Sequence, residues 1–203
     1  MLKSCDILAT ALGLLIGLTA PAAAEGTQPV TKDMEVADVT EVHPVSSFMQ
    51  GEQPAISARS VQYDEKTGRF VMVLPYDGFR VSFTSLNPHK LIGVQYEDFH
   101  IDEAVYHKEI APARTIAYEK EIQALREMGL GLGGSLENVI VYNDEGWLNP
   151  LHFEDELVRH KILDVIGDLR LAGIIRGHVI AAASGHALNT QLAKKIAAAY
   201  ANR

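Results

Sequence analysis

Apolar residues recur along this chain with two periods, and the changes of period mark its elements. Between residues 153 and 172, Val158, Ile162, Val165, Leu169 and Ala172 follow at intervals of 4, 3, 4 and 3, the spacing of one buried helix face. The pattern predicts a long helix stopped by Gly173. Ile174–Ala183, apolar on both sides of Arg176-Gly177-His178, predicts a buried strand, and Thr190–Tyr200 a closing helix. Upstream, Arg69–Leu74 and Phe79–Thr84 are rich in β-branched and aromatic residues. The turn tetrapeptide Pro75-Tyr76-Asp77-Gly78 separates them, so a hairpin is expected. His89–Val94 and Tyr96–Ile101 read as shorter strands, and Glu119–Met128 as a helix ending at Gly129. Val139–Tyr142 reads as a strand before the turn Asn143-Asp144-Glu145-Gly146. Residues 25–57 are polar and hold no sustained period, which fits a linker with one edge strand near Val36–Val45. Strands first, then helix–strand–helix, predict an α+β fold: a mixed or antiparallel sheet with helices on one face.

Composition narrows the function classes. The 203 residues, 47% apolar and 22% charged, can bury a real core in one ample domain or two small ones. A net charge of −8, with no Lys/Arg run longer than a pair, argues against a nucleic-acid partner, whose phosphates need clustered cations. A single cysteine, Cys5, excludes an intramolecular disulfide and a cysteine-rich metal site, so any metal would be held by nitrogen and oxygen. Residues 1–24 have the grammar of a cleavable export signal: Lys3, an apolar stretch over 7–20, and Ala22-Ala23-Ala24. Asp6 interrupts that grammar, and a misassigned start is the alternative. The stretch is too short and glycine-broken to predict a membrane span.

The predicted helix also carries chemistry. His160, Asp164 and Asp168 stand four residues apart. Each step turns the helix by roughly 40°, so the three project within about 80° of one another, beside the apolar stripe. Charge bordering a buried face needs compensation, and a divalent cation supplies it. His160 and Asp164 have the i, i+4 spacing of helical metal ligands, but also that of an ordinary ion pair on an amphipathic helix. They supply two donors where a catalytic zinc commonly has three. His186, between Gly185 and Ala187, is either a loop histidine satisfied by backbone or a group that Asp168 orients. Gly131-Leu132-Gly133-Gly134-Ser135 lacks the downstream Lys-Ser/Thr of a phosphate loop and reads as a tight turn.

Several stretches, in order, resemble one family. They are Leu74-Pro-Tyr-Asp-Gly-Phe79, Ala113-Arg114-Thr115, Gly133-Gly-Ser135-Leu-Glu-Asn-Val-Ile-Val141, Arg159-His-Lys-Ile-Leu-Asp164-Val-Ile-Gly-Asp168-Leu169, and Ser184-Gly-His186-Ala-Leu-Asn189. Together they are similar to the C-terminal half of UDP-3-O-acyl-N-acetylglucosamine deacetylase, the zinc amidase of lipid A biosynthesis, over roughly residues 61–200. The resemblance implies the second of that family's two α+β domains, with a β-α-β insert over Ala117–Val141. It implies that His160 and Asp164 ligate Zn2+ and that His186, partnered by Asp168, is a general acid and oxyanion stabiliser. Thr115 would touch the oxyanion of the tetrahedral intermediate. Lys161 and Arg69 would meet the nucleotide-sugar end of the substrate. Ile122, Leu132, Ser135, Val139 and Val141 would belong to the substrate-binding insert, whose apolar wall holds the acyl chain.

The departures divide the functional expectation. The family's first domain supplies a general-base Glu and a third zinc-ligand His, and nothing in these 203 residues matches it; Glu41-Val42-His43 has the wrong spacing. Ile116 replaces the family's Phe, and Asn87-Pro88-His89 departs from its usual His-Pro order. The resemblance implies a cytoplasmic enzyme, whereas residues 1–24 resemble an export signal. One expectation is a deacetylase site completed by a separate N-terminal-domain chain or an upstream segment. The other is a non-catalytic remnant or binding module that keeps the acyl and UDP-sugar cleft. Domain bounds of 1–24, 25–60 and 61–203 follow. The face that the first domain would cover also predicts self-association.

Overall fold

The computed structural model describes residues 41–44, 54–57 and 59–201. The signal-like residues 1–24, Cys5 and most of the 25–60 segment lie outside the described residues. Among the described residues, nine strands and four helices follow in chain order. The strands are β1 (Glu41–Pro44), β2 (Pro54–Ser57), β3 (Ser60–Asp64), β4 (Arg69–Leu74), β5 (Phe79–Leu86), β6 (Val94–His100), β7 (Thr115–Tyr118), β8 (Val139–Tyr142) and β9 (Ile174–Ala182). Helix α1 is a short turn, Glu103–Val105, running into a π-helical turn, Tyr106–Ile110; α2 is Glu119–Glu127, α3 Glu156–Leu169 and α4 His186–Ala201. No helix among the described residues is long and apolar enough to cross a membrane.

The fold is α+β, with a mixed seven-stranded sheet and a separate parallel pair, β7–β8. Strand β9 is the centre of the large sheet. It pairs antiparallel with β4 (Phe70↔Ala182 to Leu74↔His178) and parallel with β5 (Phe79↔Gly177 to Thr84↔Ala182), while β2 joins its start. The expected β4–β5 hairpin is therefore not formed, because β9 lies between the two strands. Alternating polarity reports which face a residue uses, not which strand lies beside it. Gly177 makes the insertion possible. Its N–H bonds the Gly78 carbonyl at 2.8 Å, and a Cβ there would lie 2.7 Å from Val73 Cγ2 and 2.9 Å from the Leu74 carbonyl.

The real hairpins are β3–β4 and β5–β6. The β3–β4 turn is built by Asp64, whose carboxylate accepts from Lys66 N and Thr67 Oγ1, and by Gly68 at φ +70°. In place of the two short strands expected over 89–101 there is one, β6. Residues 87–93 form its turn, closed by Ile92 and Gly93 N–H groups on the His89 carbonyl. Helix α4 begins at His186, earlier than the sequence pattern suggested, while α3 ends close to expectation, through a 3₁₀ turn at Gly173.

Helices α3 and α4 cover one face of the sheet. Val158, Ile162, Val165 and Leu169 of α3 and Leu192, Ala193 and Ile196 of α4 share a core with Val71, Val73, Val81, Phe83, Val179 and Ala181. The 4-3-4 stripe read from the sequence is this buried face. Its burial leaves the next stripe of α3, with His160, Asp164 and Asp168, at the edge of the core.

Candidate active site

Helix α3 begins at a junction of four segments. Its first turn lacks a capping side chain of its own, and Gln95 Oε1 on β6 accepts from Val158 N at 3.2 Å. Arg159 is clamped by Asp155 Oδ1 (2.7 Å) and Glu109 Oε2 (2.8 Å) and stacks on Phe153 and Phe99. Anchoring at this end fixes the rotation of the helix and hence the direction of the next turn.

His160 donates from Nδ1 to the Ala113 carbonyl at 3.0 Å. A carbonyl can only accept, so the proton sits on Nδ1 and the lone pair of the neutral ring on Nε2. That Nε2 stands 3.5 Å from Asp164 Oδ1. The other Asp164 oxygen accepts from Lys161 Nζ at 3.0 Å, so Lys161 is paired within the site. His186 enters from the first residue of α4. Its Nδ1 meets Asp168 at 2.9 and 3.1 Å, and its Nε2 lies 3.9 Å from the same Asp164 Oδ1. Asn189, buried one turn along α4, donates Nδ2 to Asp168 Oδ2 at 2.9 Å. The loop that delivers His186 passes through Ala183 at φ +49°, a left-handed conformation costing a non-glycine residue about 1 kcal/mol or more. The Ala183 N–H is held by the Thr84 carbonyl at 2.8 Å.

The structure thus brings His160 Nε2 and His186 Nε2 to one oxygen of Asp164, with Lys161 on its other oxygen and Asp168 behind the His186 ring. Two donors on one tetrahedral zinc stand about 3.3 Å apart, given bonds of about 2.0–2.1 Å. The His160 Nε2–Asp164 Oδ1 separation of 3.5 Å fits that edge. The donor count is smaller than a closed site needs. Among the described residues no group of three or more His, Cys, Asp or Glu side chains is arranged to hold a metal ion. His160 and Asp164 fit as part of a metal site, and His186 fits as a proton carrier steadied by a carboxylate.

The other residues singled out from the sequence sit as follows. Thr115 opens β7, exposed, two residues beyond the carbonyl that holds His160. The β7–α2–β8 unit forms the expected β-α-β insert, with β7 and β8 parallel. Within it Val141 is buried, Ile122 and Val139 are half-buried, and Leu132 and Ser135 are exposed. The Ser135 hydroxyl accepts from Glu137 N at 3.3 Å, as part of a tight turn. The insert is tied down by Asn149, which accepts from Val141 N and donates to the Leu136 and Val139 carbonyls. Arg69 is buried at the start of β4, opposite Asp64; burial lowers its pKa and Asp64 acts against that. Sequence reasoning missed Glu156, Arg114 and Asn149 as parts of this architecture. Glu156 left a trace as an acid beside the apolar pair Leu157-Val158, and Arg114 stood in the Ala113-Arg114-Thr115 stretch without a role; the two lie forty-two residues apart.

Residues 28–198 match the family described as UDP-3-O-acyl N-acetylglycosamine deacetylase. A protein of Nitratidesulfovibrio vulgaris named UDP-3-O-acyl-N-acetylglucosamine deacetylase is 47% identical over 135 residues, covering 65% of this chain and 43% of its own length. Proteins of the same name from Syntrophotalea carbinolica and Chlamydia abortus are 45% and 41% identical over 131 and 160 residues. These matches cover 63% and 76% of this chain, and 42% and 57% of the relatives. The chain therefore spans about half, or less, of the length of these relatives.

Proposed function

The chain belongs to the UDP-3-O-acyl N-acetylglycosamine deacetylase family, and on that premise we propose that residues 61–203 form the catalytic second domain of a zinc-dependent deacetylase. The substrate proposed is UDP-3-O-acyl-N-acetylglucosamine, and the reaction is hydrolysis of its acetamide. The convergence of His160 Nε2, Asp164 Oδ1 and His186 Nε2 supports this reading most directly.

His160 and Asp164 would hold the zinc ion. When bound, the ion supplies Lewis acidity, polarising the acetyl carbonyl and making water acidic enough to be a nucleophile at neutral pH. Nδ1 of His160 stays protonated on the Ala113 carbonyl, which keeps Nε2 available as a donor. His186 carries a proton at Nε2 while Asp168 holds Nδ1. As water adds to the carbonyl carbon, that N–H and the Thr115 hydroxyl steady the oxyanion. As the C–N bond breaks, the Nε2 proton passes to the amine nitrogen, releasing acetate and the free amino sugar. The base that takes the water proton, and the third metal donor, come in this reading from the family's first domain. Lys161 and Arg69 would meet the anionic UDP end, and Ile122, Val139, Val141 and Leu132 the acyl chain.

Mixing the purified chain with zinc and a separately produced first domain of a relative tests the proposal. Release of acetate is expected, and it should fall at least 100-fold with His186→Ala, within the range assigned to a general acid. Two folded components that bind UDP-sugar yet release no acetate would refute catalysis and leave a binding module.

A further inference from the structure

The geometry points to a buried pair, Arg114 and Glu156, as the positioning device that sets the tautomer and direction of the His160 ring; this rests on the reading of His160 as a metal ligand. Glu156 is 1% exposed and accepts four N–H groups: Arg114 N (2.9 Å), Arg114 Nε (2.8 Å), Arg114 Nη2 (3.2 Å) and His152 N (2.6 Å). Burial pushes its carboxyl pKa up, but the Arg114 fork and the two backbone N–H groups outweigh burial, so the group stays ionised. The remaining Arg114 donors reach the Pro150 carbonyl (2.7 Å) and the Leu136 carbonyl (3.4 Å).

The pair is the middle rung of a ladder. Residues 152, 156 and 160 follow at intervals of four, across the start of α3, and each meets the segment 112–114. His152 Nδ1 donates to the Pro112 carbonyl at 2.9 Å, Glu156 holds Arg114, and His160 Nδ1 donates to the Ala113 carbonyl at 3.0 Å. Ala113 and Arg114 are consecutive. A fork that fixes the Arg114 backbone N–H and its guanidinium to one carboxylate therefore fixes the adjoining peptide carbonyl that selects the His160 tautomer. The same fork anchors the residue before Thr115. A side chain with a single ammonium cannot reproduce it, because it lacks the planar pair of donors. Arg114 and Glu156 spend their polar atoms on each other and on backbone groups, so they act through His160.

The test uses the full chain with 15N-labelled histidine, as the wild type and as Arg114→Lys and Glu156→Gln. In the wild type the His160 ring is expected as one Nδ1–H tautomer with a slowly exchanging proton. In both variants a mixture of tautomers is expected, with proton exchange at least tenfold faster. Zinc affinity by chelator competition should weaken by about 10–100-fold, the loss associated with outer partners of a metal ligand. A merely structural pair would change melting temperature and leave the ring signature alone. An unchanged His160 signature in folded variants, with zinc still bound as in the wild type, overturns the pair's role. Absence of zinc binding by the wild-type chain, with a relative's first domain added as well as without it, overturns the metal reading and with it the purpose of the pair. Failure of both variants to fold, judged by circular dichroism, overturns it in favour of a global structural role.

Discussion

Replacing Ile162 with alanine probes how firmly helix α3 is seated. Ile162 lies on α3 between His160 and Asp164, is fully buried, and packs in the core shared by α3, α4 and the sheet. The substitution removes three side-chain carbons, about 2.4 kcal/mol at about 0.8 kcal/mol each. If a cavity of about 60 Å3 persists, it adds about 1.4 kcal/mol at about 24 cal/mol per Å3. Partial collapse lowers the sum, so a loss of about 3 kcal/mol is expected. Urea unfolding followed by circular dichroism measures it, with Leu171→Ala as the control. Leu171 is 74% exposed, and its truncation should cost less than about 0.5 kcal/mol. A loss below about 1.5 kcal/mol at Ile162, or an equal loss at Leu171, would show that α3 is not held by this face.

Three further outcomes follow from named contacts. Gly177→Ala places a methyl group against Val73 Cγ2 and the Leu74 carbonyl. It should destabilise the chain by about 1–3 kcal/mol, the cost of overpacking, measurable as a fall in melting temperature. Asn149→Ala takes the side-chain acceptor from the Val141 N–H and one donor from each of the Leu136 and Val139 carbonyls, and should cost about 1–3 kcal/mol; the fluorescence of Trp147, packed on Tyr142, should report loosening of the insert. Glu156 has a folded pKa below its unfolded one, so its ionisation stabilises the fold above the unfolded value near pH 4.5. That contribution is lost as pH falls through the folded value. A plot of melting temperature against pH should therefore be flatter below about pH 4.5 in Glu156→Gln, near the unperturbed glutamate value, and an unchanged slope would contradict the assignment.

Helix α3 was legible because one segment carries both its buried stripe and its polar one. Val158 to Leu169 fixed the face, and His160, Asp164 and Asp168 fell at one edge of it. In the β-α-β insert the helix and the strand β8 were legible from local signals, while β7 came only with the family resemblance. Strand order was not legible. The alternation in Arg69–Leu74 and Phe79–Thr84 is the same whether the two strands pair with each other or with β9, and the choice is made by residues a hundred positions later. The Arg114–Glu156 pair was hidden for the same reason, since a carboxylate forty-two residues from its guanidinium leaves no local period. The meeting of His186 with Asp168 was one of two readings the residues left open, the resemblance chose it, and the loop through Ala183 achieves it.

Titration of the wild-type chain with Co2+, followed by NMR of its histidine rings, tests the metal reading most directly. Selective broadening of His160 and His186, sparing His178 and His89, is expected, and Asp164→Asn should weaken it at least tenfold, as loss of a metal ligand must. Uniform broadening of all the histidines, or a response indifferent to Asp164→Asn, would contradict a metal site on helix α3.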